Sequence, residues 1–91
     1  MKKFDLFRKE LLSDPEVLRE YEEHKMEFEI AQALIKARLK AHLTQTQVAE
    51  RMHTSQSQVA RMESGAHMPS FHSIHKYAQA VNQHIHLEIK P

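Results

Sequence analysis

The stretch that decides the fold is Leu43–Gly65, "LTQTQVAERMHTSQSQVARMESG". Two short amphipathic segments follow one another there with almost nothing between them. Thr44 is an N-cap type, and Gln47, three residues on, completes a capping-box pattern that starts a helix. Val48, Ala49 and Met52 recur at helical spacing and form its inward face. His53-Thr54-Ser55 is then a short turn, and Ser55 caps a second helix that runs to about Ser64, with Gly65 as its C′ residue. In that second helix Val59 and Met62 face the core. Gln56, Ser57, Gln58, Ala60 and Arg61 are left on the outside, concentrated toward the N-terminus.

Two helices joined by about three residues form a helix-turn-helix arrangement, in which the second helix enters the major groove with its N-terminal residues at base edges. The outward residue types suit that task. Gln pairs with adenine N6 and N7, Arg with guanine O6 and N7, and Ser with either, while Ala60 suits a thymine methyl group. Thr44 and Gln45, opening the first helix, are placed to bind a phosphate through side chains and free backbone N–H groups. His67, in the loop after Gly65, is a further phosphate candidate. This pattern predicts double-stranded DNA as a ligand.

Outward from this motif the chain reads as helices with short connections. Phe4, Phe7, Leu11 and Leu12 keep helical spacing, and form either a helix packed on the chain's own body or an apolar face for a partner protein. Ser13-Asp14-Pro15-Glu16 restarts a helix, with Asp14 as N-cap and Pro15 at the first position. That helix is expected to run to about His24, with a break near Lys25. Glu27 to Ala41 is helical again, with Ile30, Leu34, Ala37 and Ala41 in one stripe. Arg38 lies in the same row, and a charge there needs a partner. Beyond Pro69-Ser70, Phe71, Ile74, Tyr77, Ala78 and Val81 predict another helix. Met26, Met52, Met62 and Met68 are expected to fill the core. The last stretch, His84 to Lys90, changes period: Ile85, Leu87 and Ile89 alternate with His84, His86, Glu88 and Lys90, which predicts a one-faced β-strand. An unpaired strand needs a ladder partner, and pairing across a two-fold axis of a homodimer is the simplest one.

Composition bounds the function. The 91 residues contain one Gly, three Pro and no Cys. This favours helices, excludes disulfides and suits a reducing cytoplasmic setting. No apolar run predicts a signal peptide or a membrane span. Residues 1–29 hold six Lys/Arg against nine Asp/Glu, a net −3, and residues 30–91 hold seven against three, a net +4. A basic body suits phosphate and an acidic arm suits a basic protein. The eight His include His72 with His75, and His84 with His86, at spacings that metal sites use. Without Cys, and with Glu88 the one nearby carboxylate, they read better as solvent-facing, so neither metal nor cofactor is expected. With no Gly-rich phosphate loop, no Cys nucleophile and little chain for a catalytic pocket beside a core, an enzyme is not expected.

Leu43 to Val81, through "LTQTQVAERM", "SQSQVARMESG" and "MPSFHSIHKYAQAV", resembles the Xre (Cro/CI) helix-turn-helix family. The resemblance implies an all-α, five-helix, lambda-repressor-like bundle, here with an N-terminal helical arm and a C-terminal strand that pairs across a dimer. It places base contacts on Gln56, Ser57 and Arg61, phosphate contacts on Gln45 and Gln58, and a structural ion pair on Arg38 and Glu63. His53 departs from the family's usual Gly in the turn. "DPEVLREYEEHKMEFEIAQALIKAR" with the terminal "HLEI" resembles antitoxins of HigBA-type toxin–antitoxin systems. That resemblance implies a homodimer that represses its own operon from a palindromic operator and neutralises an mRNA-cleaving RelE-like toxin. The domains expected are an acidic helical arm over 1–26, with Phe4, Phe7, Leu11 and Leu12 toward the toxin, the DNA-binding domain over 27–82, and a dimerisation strand over 83–91. The alternative is a stand-alone or phage-type regulator without a toxin; a pure protein-interaction module with a decayed DNA face is a third.

Overall fold

A computed structural model describes residues 13–91. Phe4, Phe7, Leu11 and Leu12 lie outside the described residues. Among those described there are four helices: α1 (Pro15–Lys40), α2 (Gln45–Met52), α3 (Gln56–Met62) and α4 (Phe71–Ala80). The expected count of five is therefore corrected. The helices predicted to end near His24 and begin at Glu27 are one continuous helix of 26 residues. No break falls at Lys25 because "EEHKMEFE" contains no Gly or Pro and is rich in Glu, Lys and Met, which propagate a helix readily. Asp14 caps it, accepting from the Glu16 N–H at 2.9 Å.

The C-terminal strand is corrected as well. Among the described residues no strand forms, and residues 83–91 have no regular structure. Alternation at Ile85, Leu87 and Ile89 describes one face, but a strand is made by ladder hydrogen bonds, and no other described segment of the chain offers an edge. Leu87 and Ile89 stay 74% and 90% exposed.

The core gathers Leu34 from α1, Val48, Ala49 and Met52 from α2, Val59 and Met62 from α3, and Tyr77, Ala80 and Val81 from α4 and its cap. Ala49, small and buried, sits on α2, which packs closely on α3. Met52 and Met62 fill the core as expected of methionine, but Met26 and Met68 are 59% and 42% exposed, so that expectation is corrected for them. Met26 lies in the N-terminal half of α1, which buries no residue before Ala31. Along its length, α1 passes from an exposed acidic stretch to a packed one.

Three helices end in the same way with no Gly available. His42, His53 and Asn82 follow α1, α2 and α4 with φ of 59°, 56° and 57°. After each, the next N–H returns to a carbonyl five residues back: Leu43 to Arg38 at 3.2 Å, Thr54 to Ala49 at 2.9 Å and Gln83 to Ala78 at 2.9 Å. Asn and His enter the left-handed region more readily than β-branched residues, and the return bond satisfies a terminal carbonyl. The chain's one Gly, Gly65, has φ 73° but stands two residues beyond the α3 cap at Glu63, not at the C′ position.

Candidate nucleic-acid interface

The turn between α2 and α3 sets the geometry. Thr44 and Gln47 form a reciprocal capping box: the Thr44 hydroxyl accepts from the Gln47 N–H at 3.1 Å, and the Gln47 side-chain Oε1 accepts from the Thr44 N–H at 2.9 Å. His53 then takes its left-handed conformation. Ser55 accepts from the Gln58 N–H at 3.2 Å and starts α3. Val59, fully buried, and Met62 anchor α3 from below. Gln56, Ser57, Gln58 and Arg61 remain exposed, and Ala60 is half-buried.

Beneath this surface lies a charged hub. Glu63 is 8% exposed. Its carboxylate accepts from Arg38 Nε at 3.0 Å and from an Arg38 terminal nitrogen at 3.0 Å. It also accepts from Gln45 Nε2 at 3.2 Å and from the Tyr77 hydroxyl at 2.7 Å. The other terminal nitrogen of Arg38 donates to the Leu43 carbonyl at 3.1 Å. One carboxylate thereby ties α1, α2, α3 and α4 together. Burial by itself would raise the Glu63 carboxyl, but the hydrogen bonds from Arg38, Tyr77 and Gln45 and the Arg38 charge outweigh it and hold the group below its ordinary value. The same bond to Glu63, opposed by burial, raises the Arg38 guanidinium. Burial, and then Glu63, raise the Tyr77 hydroxyl.

The hub reaches the outer surface through Gln45. Gln45 donates to Glu63 and accepts from Gln56 Nε2 at 2.7 Å. Its amide is thus oriented at both ends, and it fixes Gln56 with one N–H and the carbonyl oxygen of that amide still free. Those two atoms form the donor–acceptor pair that adenine's N7 and N6 require. At the other end of α3, Arg61 Nε donates to His67 Nε2 at 3.2 Å. The structure therefore brings Gln45 to Gln56, and Arg61 to His67. Thr44 is occupied with its capping box, and the side chains of Ser57 and Gln58 stand apart at the surface. Ile85, Leu87 and Ile89 lie on the C-terminal segment, away from this surface.

Two roles in the hub are absent from the sequence reading, those of Tyr77 and of Gln45. Tyr77 was read only as a member of an apolar stripe, and its buried hydroxyl joins the hub, also lying 2.9 Å from the Leu34 carbonyl. The signal was present: a Tyr at a core position needs a partner for its O–H. The inward bond of Gln45 had no signal, because its partner lies 18 residues away.

Residues 34–86 match the helix-turn-helix family. That is more than half of the chain. The chain belongs to this family, in its Xre (Cro/CI) branch. No curated protein and no solved structure matches. The matched span contains the capping box, the turn, α3, the Glu63 hub and α4, so the family assignment and the geometry describe the same unit. A helix-turn-helix domain of this type makes the protein a DNA-binding transcriptional regulator. No helix among the described residues is long and apolar enough to cross a membrane, and none of their His, Asp and Glu residues cluster in a group that could hold a metal ion.

Proposed function

We propose that the protein is a sequence-specific repressor that binds a palindromic operator as a homodimer, and that it is the antitoxin partner of a basic, RelE-like toxin. It acts by binding, with no catalytic step. The observation that carries the DNA reading is the bonded series Glu63–Gln45–Gln56, which presents an oriented amide at the N-terminus of α3. Preorganised base contacts discriminate better than mobile ones because less side-chain freedom is lost on binding. Gln56, Ser57 and Arg61 read bases, while Thr44 and Gln58 contact phosphate.

The homodimer is supported by a groove of about 640 Å³ between α1, α4 and the C-terminal segment. Ile30, Ala37, Ile74, Ala78, Ile85 and Leu87 contribute to its walls. No Asp, Glu, Lys or Arg lines it, and no residue of α2 or α3 does. Phe71 and Leu87, which also line it, are 64% and 74% exposed, so the groove leaves apolar surface in water that a second copy would cover. A copy seated there leaves α3 free. The toxin reading is supported by the stretch of α1 over residues 16–29. It presents Glu16, Glu20, Glu22, Glu23 and Glu29 with exposed Leu18 and Phe28, a surface suited to a basic, partly apolar partner.

Selection from a random-sequence duplex library, with sedimentation of the free protein, tests the DNA and dimer readings together. The expected product is an inverted repeat with half-sites about 34 Å apart, bound by a dimer. A monomer that selects a single unrepeated site overturns the dimer, and no selection at all overturns the sequence-specific reading. For the partner, deletion of residues 1–24 removes, among the described residues, none that is buried. It is expected to abolish capture of a co-expressed RelE-like toxin while DNA binding survives. Capture that persists places the toxin contact elsewhere, and capture absent with the full chain leaves a stand-alone regulator.

A further inference from the structure

We propose that His67 is a positioning residue that sets the specificity of Arg61, an inference that rests on the reading of Arg61 as a base contact. Arg61 leaves the last turn of α3 and is exposed. A free arginine there has several rotatable bonds and would lose much of that freedom on meeting a base. Its Nε–H is instead directed at His67 Nε2, 3.2 Å away. Because Arg only donates, His67 is the acceptor, and the bond requires an Nε2 that carries no proton. With Nε engaged, the guanidinium still has its four terminal N–H groups. Two of these form the fork that meets guanine O6 and N7.

The loop that carries His67 is held in place from two sides. The Ser64 hydroxyl donates to the Arg61 carbonyl at 2.7 Å and accepts from the Ala66 N–H at 3.2 Å, which folds the loop back on α3. Gly65 lies so close to α1 that a Cβ on it would touch the Phe28 backbone at 3.5 Å, and Pro69 is buried. His67 therefore stands on an anchored loop, with its ring nitrogen within hydrogen-bond distance of Arg61. In this role it orients Arg61, where the sequence had suggested a phosphate contact of its own.

The test uses the full chain at pH 8, a duplex selected from a random-sequence library, and versions of it changed at one base pair at a time. Anisotropy titrations compare wild type, Arg61→Ala, His67→Ala and His67→Gln, with melting temperatures measured alongside. Arg61→Ala should lose discrimination at one guanine position. His67→Ala should weaken discrimination at that position by about 2- to 10-fold, the worth of one hydrogen bond, with binding to unselected duplex and melting unchanged. His67→Gln, whose carbonyl oxygen can take the place of Nε2, should restore it. If His67→Ala discriminates as wild type does while Arg61→Ala does not, the positioning role is wrong and the base contact stands. If Arg61→Ala changes nothing, the base contact is wrong and the positioning role goes with it. A loss spread evenly over all duplexes makes His67 a phosphate contact, and equal losses for the Ala and Gln variants show that no acceptor is needed; either result overturns the proposal.

Discussion

On its inner side α3 is held by buried Val59 and Met62 and is followed by Glu63, a carboxylate bound by three residues from three other helices. On its outer side two of the exposed polar side chains, Gln56 and Arg61, have partners, each a single residue. The inner side works by satisfying every buried polar group, because an unpaired charge there is costly. The outer side works by leaving donors and acceptors free while limiting where they can point. Gln45 belongs to both, since it is bonded to the hub and to Gln56. Under the proposed function, stability and recognition divide across one short helix and meet at that residue.

Glu63→Ala is the hardest test of this division. It strands Arg38, whose side chain is 14% exposed, and should cost about 3–5 kcal/mol in chemical denaturation. Acid should remove the same interaction. The Glu63 carboxyl is held below its ordinary value of 4.5, so its contribution is complete above that pH and is lost as pH falls through the lower folded-state value. The acid-induced drop in stability should be smaller in Glu63→Ala. Next in size, Arg61→Ala should weaken specific DNA binding by about 1–3 kcal/mol with melting unchanged; an equal loss of stability would show that the two sides are not separable. Gln45→Ala should lower both stability and specific binding, each by about 0.5–1.5 kcal/mol. An effect on one alone would break the bridge between them. The smallest effect lies in the turn: His53→Gly relieves a left-handed residue and should stabilise the fold by about 0.5–1 kcal/mol net, the strain relieved exceeding the extra entropy of Gly in the unfolded chain. DNA affinity should not change.

The motif was legible because its signals are local. Thr44 with Gln47, Ser55 as a cap, and the spacings of Val48, Ala49 and Met52 and of Val59 and Met62 depend on neighbours within one or two turns. Arg38 in an apolar row announced that a partner was required, although only the family resemblance pointed to Glu63. The break at Lys25 was misread because a weakening of apolar periodicity does not end a helix when the residues themselves favour it. The strand over Ile85, Leu87 and Ile89 was misread for the opposite reason. A period-2 pattern is local, but the ladder that makes a strand is not.

By itself the sequence determined where the helices of the motif start, which residues of α2 and α3 turn inward, and the family to which the chain belongs. Capping, periodicity and residue type act over a few positions, and the chain order records them completely. Only the tertiary structure decided that one carboxylate would join four helices, that Tyr77 would contribute its hydroxyl, that Gln45 would look inward as well as out, and that Arg61 would meet His67. Those contacts join residues 6 to 25 positions apart. Their distances are fixed by how the helices pack around Val48, Val59, Tyr77 and Val81, and no local pattern encodes that packing.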